Sequence, residues 1–541
     1  MESKMELATD AKDAATITPA RDEMPLQQGD LKSAAGDDED VGLRIIHEAG
    51  NAINASVDPA VTRRTLRKID TWVLPLLALT TMLQFLDKST LGYAAIFGLI
   101  EDTVSPLTFT EPSIHGWAVY STLVPISGTV DYRLCTDAPG YMITQPFAAH
   151  LLQKFAAAKC LAASVLLWGV ILFMHVVCNN WAKLMVVRFF LGMAEAIVTP
   201  AFILISGAWY ARQDQPLRMG FWFSFNGVAQ IVGGLLSYGL GHIHVGIASW
   251  KWMFLVTGAI SVLWAIVLWF MLPDNQGTAW FLNDEEKYAS IEMVRQNHTG
   301  IHNTKFRREQ LVEALCDFKT WAFFWMALIW NVPNSIATFG SLVIKNFDYG
   351  VLETTLLGMP AGALEFVLML IITWVCLKVA NTRTWCMITA LTIALVGSIM
   401  VFAAPYHNKA ALLAGYYMIY AFPTGYILLL SMISANTAGH TKKVVTNSMA
   451  MIGYSTGNII GPQFFKPSQQ PRYGLGIGAC LVSFAILIVM LIGVRIYLVF
   501  QNKRRDITRQ QIHGQVEDHT TTEFDFKNLT DKQNPLFVYA Y

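Results

Sequence analysis

Three polar residues sit together in an otherwise apolar stretch near the start of the chain: Gln84, Asp87 and Lys88, spaced i, i+3 and i+4. That spacing puts them on one face of a helix. An ammonium held there attracts an anion, and a carboxylate beside it can exchange a proton. The same pair could also neutralise itself and do no more than hold helices together. Arg188 and Glu195 stand seven residues apart, two helical turns, and so share a face as well. Arg188 lies near the end of its apolar run and could snorkel toward headgroups; Glu195 is deeper and harder to explain that way. In the C-terminal half, Glu365 is the acid well inside an apolar run, either a second protonatable site or an ion-pair partner for Arg188 or Lys88.

Uncharged polar residues add a second tier. Asn226 and Gln230, at i and i+4, draw a polar stripe along one helix. Asn331 and Asn334 flank Pro333, and a proline there kinks a helix and frees backbone groups, as in helices that line substrate sites. The alternative for these amides is interhelical hydrogen bonding, about 0.6 kcal/mol per contact. Gly453, Gly457 and Gly461 recur every four residues, a spacing for close helix packing, with Tyr454 and Asn458 on the adjacent face. Asn458 is a candidate to face a cavity. Tyr416, Tyr417, Tyr420 and Tyr426 could stack on a planar ligand or fill a bundle core, with Tyr420 the candidate for contact.

These residues need elements to carry them, and composition says which. Of 541 residues, 54% are hydrophobic and 14% charged, against about 25% charged in a soluble domain. A hydrocarbon core of about 30 Å takes roughly 20 apolar helical residues per crossing. Suitable runs begin near Trp72, Trp117, Cys160, Arg188, Met219, Trp252, Trp321, Thr355, Trp385, Ala410, Val444 and Gly474. A polar stretch at 273–319 divides them six and six. The expectation is an all-α membrane protein of twelve transmembrane helices in two pseudo-symmetric six-helix bundles, residues 70–272 and 320–498. Polar tails at 1–69 and 499–541 flank them, and the first apolar run acts as an uncleaved signal-anchor.

Basic residues concentrate on one side of this topology: Arg63, Arg64, Arg67, Lys68, Lys154, Lys159, Arg212, Arg218, Arg307, Arg308, Lys442, Lys443, Lys503, Arg504 and Arg505. The positive-inside bias therefore predicts both termini in the cytosol. Zero net charge gives no basic field for nucleic acid. The seven cysteines are scattered through apolar runs, which predicts neither a disulfide framework nor a metal site. Without a G-x-x-x-x-G-K-[ST] loop, ATP hydrolysis by the chain itself is unsupported, so an ion gradient or the solute supplies the energy. No cofactor and no enzymatic chemistry are expected.

Several segments carry a family resemblance. The first run reads RKIDTWVLPLLALTTMLQFLDKSTLGYA, with Leu86-Asp87-Lys88 inside it, and the fourth reads RFFLGMAEAIVTPAFILISGAWYARQDQPLR, with Arg188 and Gly192. Together with GFWFSFNGVAQIVGGLLSYGLGHI, GYSTGNIIGPQFF, LPDNQGTAWFLNDEEK and LTDKQNPLFVY, these resemble the fungal allantoate-permease family, the anion:cation symporter branch of the major facilitator superfamily. The resemblance spans about residues 65–540. One departure is the loop after the second helix, where HLLQKFAAAK replaces the usual Gly-x-x-x-Asp-Arg box. The resemblance implies the major facilitator fold, a proton-coupling role for Arg188, and import of a small organic anion together with a proton. The implied cargo is allantoate, ureidosuccinate or a related carboxylate. A vitamin carboxylate of the nicotinate or pantothenate type is the rival cargo, and a nutrient sensor with a carrier fold is the rival class. Short tails favour transport over sensing. The expected setting is the plasma membrane, with a lipid bilayer, the anion and the proton as partners of a monomer.

One stretch fits none of this. The second run should be continuous from about His115 to Leu152, yet PISGTVDYRLCTDAP at 125–139 interrupts it. Asp131, Arg133 and Asp137 would each cost about 2.5–3.5 kcal/mol at a helix centre, and Pro125 and Pro139 break the helix besides. A re-entrant segment facing protein or water would tolerate such residues. The segment has no amphipathic pattern and no counterpart in the other half, which favours an unspliced intron or a misplaced exon boundary, with an irregular bulge and the helix resuming near Gly140. Sequencing of the spliced transcript checks this: a majority of reads lacking the segment is expected, and reads crossing it intact would show it to be genuine.

Overall fold

A computed structural model describes residues 59–99, 102, 137–211, 214–243, 246–295, 307–347, 349–379, 381–405, 407–465, 469, 473–513, 530–534 and 537–541. The first crossing is α1 (Pro59–Ala94), which ends where Gly98, at φ 96°, turns the chain out of the helix. It is followed by α2 (Asp137–Lys154), α3 (Ala157–Met174), the broken pair α4 (Trp181–Glu195) and α5 (Val198–Trp209), α6 (Gln215–Gly241) and α7 (Ser249–Met271). Two short helices, α8 (Asp284–Arg295) and α9 (Arg308–Leu315), lie in the connection between halves. The second half holds the pair α10 (Phe318–Asn331) and α11 (Ser335–Lys345), then α12 (Val351–Leu357) with α13 (Met359–Lys378), and α14 (Arg383–Ala403). Next come the pair α15 (Lys409–Ile419) and α16 (Phe422–Asn436), then α17 (His440–Ile460) and α18 (Gly474–His513).

Among the described residues, nine helical stretches are long and apolar enough to cross a membrane. The second, seventh and eleventh crossings complete the twelve. Each falls short for a local reason: α2 carries Asp137, Gln145, His150, Gln153 and Lys154 in its 18 residues, Pro333 parts α10 from α11, and α17 carries Lys442, Lys443, Asn447 and Asn458. The suspect stretch at 125–139 lies outside the described residues up to 136. Helix α2 begins at Asp137, so Pro139 falls in its first turn, where a missing N–H leaves no bond unmade.

The two halves meet along α6 with α13, α2 with α17, and α1 with α11. The α6–α13 seam is the closest. A methyl placed on Gly227 would lie 2.2 Å from the Gly362 carbonyl oxygen, and one on Gly362 2.4 Å from that of Gly227. Glycine lets the two backbones touch, the usual device where lipid supplies no hydrophobic drive for helix association. The run of Gly453, Gly457 and Gly461 works the same way inside the second half, against the carbonyls of Phe324, Leu328 and Val332.

Charges gather on the face that carries the start of α1 and the last residues of the chain. In the first half, Glu286 of α8 accepts from Lys68 at 2.6 Å and from the backbone of Asn283 at 3.0 Å, closing half of a capping box. Arg218 bridges Asp70 (3.1 Å) and Asp214 (2.9 Å). In the second half α18 runs on to His513, and residues 530–534 and 537–541 return as a strap across the bundle end. Asp531, fully buried, binds Lys319 of α10 and Lys442 of α17, the latter at 2.7 Å, and accepts from the Tyr539 hydroxyl at 2.9 Å. Asn436 exchanges two hydrogen bonds with Ala540, and Asn502 two with Tyr539. The strap thus ties the ends of four crossings to one another.

Burial acts to raise the Asp531 carboxyl, but the two ammonium groups outweigh it and hold it below the usual carboxylate range. A carboxyl depressed on folding stabilises the fold above its unfolded pKa and ceases to do so as pH falls through the folded value. The strap is therefore complete at neutral pH and released in acid, below about pH 4. Asp531→Asn leaves Lys319 and Lys442 to Asp317 and Glu313 alone, and should destabilise the protein by about 3 kcal/mol. Thermal unfolding and amide exchange of the purified protein check this: Asp531→Asn should unfold at lower temperature with faster exchange in 530–541, while exposed Lys532→Gln should match wild type.

Candidate functional site

Three crossings break at mid-depth, and each break delivers polar groups. Between α4 and α5 the helix lapses at Ala196 and Ile197, leaving Glu195 as the last residue of α4. At Pro333 the seventh crossing becomes a turn held by Asn334 N–H to Asn331 O (3.2 Å) and Ile336 N–H to Pro333 O (3.0 Å). Proline has no N–H to continue the ladder, and the turn takes over the freed carbonyls. The tenth crossing breaks at Tyr420 and Ala421, ahead of Pro423.

The breaks surround a cavity of about 80 Å³ between the two halves. From the first half it is lined by Gln84, Lys88, Tyr141, Phe223 and Asn226, among others. From the second come Trp330, Asn331, Asn334, Glu365, Tyr420, Tyr426 and Tyr454. The wall is largely aromatic: Tyr426 packs on Trp330 (6.4 Å between ring centres), Tyr454 (5.8 Å) and Phe223 (6.4 Å).

Among the described residues, Lys88 is the cation that lines this space. Its side chain is 30% exposed, with the ammonium 3.7 Å from Glu195 and 3.4 Å from the Tyr454 hydroxyl. Behind it, Asp87 is 1% exposed and accepts from the Trp168 indole N–H. Arg188 is buried near Asp87, its guanidinium 5.3 Å from the Phe254 ring centre, so it does not extend toward headgroups. Buried His175 stacks on the same ring at 4.6 Å. Lysine and arginine therefore play different parts: Lys88 opens on the cavity, and Arg188 packs behind it.

Across the cavity, Glu365 accepts from Gln230 Nε2 at 2.8 Å, and this bond spans the α6–α13 seam one turn from the Gly227–Gly362 contact. Glu365 pairs with neither Lys88 nor Arg188 in any ion pair among the described residues. Asn334 donates to Asn458 at 2.7 Å, and Asn458 to the Tyr454 carbonyl at 2.9 Å. Of the twelve residues singled out from sequence, Gln84, Lys88, Asn226, Asn331, Asn334, Glu365 and Tyr420 line the cavity. Asp87, Arg188, Glu195, Gln230 and Asn458 do not; they stand behind lining residues. Sequence reasoning missed Trp168, His175 and Tyr141. His175 had a signal, a lone imidazole in an apolar run, but tryptophan and tyrosine in a membrane helix look like ordinary packing until their partners are known.

A family model described as Major Facilitator Superfamily matches residues 77–462. The chain is 32% identical over 518 residues to the allantoate permease of Saccharomyces cerevisiae, covering 93% of this chain and 90% of that one. It is also 32% identical over 528 residues to the thiamine pathway transporter THI73 of the same yeast, 93% and 94% of the two chains. An uncharacterized transporter of Schizosaccharomyces pombe is 37% identical over 479 residues, 88% and 87% covered. The solved proton:xylose symporter XylE superposes with a TM-score of 0.58 at 12% identity, over 80% of this chain and 95% of its own, a likeness of fold. The chain belongs to the major facilitator superfamily, in the fungal branch that includes the allantoate permease, and is a membrane transporter rather than an enzyme.

Proposed function

We propose that this protein imports a small organic anion together with protons, across the plasma membrane and with both termini cytosolic. The observation that carries the reading is the Lys88–Glu195 pair at the cavity wall. A cavity walled by hydrocarbon and aromatic rings admits net charge only at high cost. With Glu195 ionised, Lys88 is neutralised and has little attraction left for an anion. Protonation of Glu195 frees the ammonium, and the substrate carboxylate takes the vacated place. Proton and anion then enter the site together, and the charge of the site stays constant through the cycle. Asp87 and Arg188, packed behind, hold the field in which that exchange occurs.

The allantoate permease among the relatives supports an allantoate- or ureidosuccinate-like cargo. As a second reading, the equal identity to a transporter named for a vitamin pathway supports a vitamin-type cargo, and a vitamin carboxylate of the nicotinate or pantothenate type is the form that would suit Lys88. Uptake of a labelled carboxylate panel into cells lacking their own carriers decides between them.

Two results are expected of that assay. Accumulation should rise as external pH falls from about 7 to about 5 and should vanish with a protonophore; indifference to both would mean facilitated diffusion without protons. Lys88→Gln keeps the reach of the side chain and removes its charge, so affinity for the anion should fall by about tenfold or more, each decade being about 1.4 kcal/mol. Surface expression must be matched to wild type, because the change also strands Glu195. Normal transport by a surface-expressed Lys88→Gln carrier would rule out Lys88 as the anion's partner.

A further inference from the structure

A second concavity shares no residue with the cargo cavity and lies on the flank of α1 near its start. It is an open groove of about 440 Å³ formed by Arg63, Arg64, Arg67 and Lys68, with Thr71 and Trp72 at the end toward the crossing. A space of that size takes a small ligand. The lining residues occupy one side of the helix, while Thr65, Ile69 and Val73 on the other side are fully buried. The charges of the groove do not balance. Arg64 (3.3 Å) and Lys68 (2.6 Å) share one acid, Glu286. Arg63 and Arg67 are exposed and enter no ion pair among the described residues. The next acid along the helix, Asp70, is taken up by Arg218. Four cations against one acid leave three positive charges in surplus, whereas Lys319 and Lys442 in the second half are each met by buried Asp531.

The neighbouring rings give the groove its depth. Trp72 packs edge-on against Trp280 at 4.6 Å, and the two are 36% and 57% exposed. Exposed tryptophan at the end of a crossing sits at headgroup level. Arg67 precedes Trp72 by five residues, about 7.5 Å along the helix, which puts guanidinium groups where lipid phosphates lie. We propose that the groove binds an anionic phospholipid whose headgroup carries a phosphate monoester besides its diester. The diester brings one negative charge and the monoester about 1.5–2 more, close to the surplus; a headgroup with a single charge leaves most of it unmet. Arg63 and Arg67, at i and i+4, can each donate two parallel hydrogen bonds to the monoester. Trp72 and Trp280 cover the upper part of the acyl chains. The donors are side chains along three turns and not the N–H groups of the helix end. Basic clusters of this size beside a crossing are a general means of holding such lipids.

Binding is measured on the purified full-length carrier in phosphatidylcholine nanodiscs, with the signal of empty nanodiscs subtracted. The probes are dioctanoyl phosphatidylinositol 4-phosphate, dioctanoyl phosphatidylinositol, and glycerophosphoinositol 4-phosphate, which is the first headgroup without its acyl chains. Wild type should bind the first at least tenfold more tightly than either of the others. Combined Arg63→Gln and Arg67→Gln should weaken it by about tenfold or more, with an unchanged melting temperature because neither side chain has a partner to lose. Lys503→Gln with Arg504→Gln removes the same charge from exposed positions on α18 and should change binding by less than about twofold. Equal affinity for the two lipids would overturn the proposal, since the monoester would then count for nothing. Equal affinity for the lipid and its soluble headgroup would also overturn it, leaving a site for a free phosphate ester. So would equal losses in the two double variants, which would reduce the groove to a solvated basic face. The wild-type comparison of the three probes stands as a test by itself, whatever the variants do.

Discussion

A charge in hydrocarbon must have its opposite within reach, and that constraint organises the protein. The ammonium of Lys88 cannot be left alone at mid-membrane, so Glu195 is brought to 3.7 Å by the lapse of the helix between α4 and α5. Had that helix run on unbroken, its backbone would have stayed a regular cylinder with no change of direction at the cavity. The breaks in the seventh and tenth crossings serve the second half in the same manner, presenting Asn331, Asn334 and Tyr420 to the same space. Irregular backbone is tolerated at this depth because it borders a cavity and never lipid. Part of the site thus comes from local departures from ideal helix, which present Asn331, Asn334 and Tyr420, and part from regular helix, which carries Lys88, Asn226 and Glu365.

The number of crossings and their division into halves were legible in the sequence because they rest on one property, the length of apolar runs. The charged residues of the site were legible for the converse reason, since Asp87, Lys88, Arg188, Glu195 and Glu365 are conspicuous among hydrocarbon side chains. Their partners were not. Lys88 meets Tyr454 from 366 residues away, and Asp87 meets Trp168 from 81. Such pairings depend on crossing angles and relative depth, and no periodicity within one helix encodes either. Nor does periodicity tell whether a polar residue at the right depth reaches the cavity or stops one layer behind it. Lys88 reaches it and Asp87, its neighbour, does not.

The C-terminal strap makes the same point about segments outside the membrane. LTDKQNPLFVY enters the sequence reading as a segment of the family resemblance, and nothing in its own pattern marks Asp531 as buried. In the folded protein Asp531 is a buried junction between α10 and α17. Only the location of Lys319 and Lys442, 212 and 89 residues earlier in the chain, gives it that meaning. The first half uses Glu286 for a similar purpose, joining α8 to α1 from within the connecting loop. Each half is therefore fastened to itself at the face that holds the start of α1 and the C-terminal strap.

The seam between the halves is narrowest where Gly227 meets Gly362. Contacts between ordinary helices mesh like gear teeth, and sliding one past the other means lifting every tooth out of its notch. Two bare backbones have no teeth. At that one contact the backbones meet directly, while further along the same seam side chains do mesh, Thr373 against Gly220, Met359 against Gly234 and Phe366 against Phe225. The Gln230–Glu365 bond lies one turn further along the same two helices. A site near the axis of a rocking motion sees the doors on either side swing widely while its own dimensions barely change, which lets one set of contacts hold the cargo whichever side of the membrane is open.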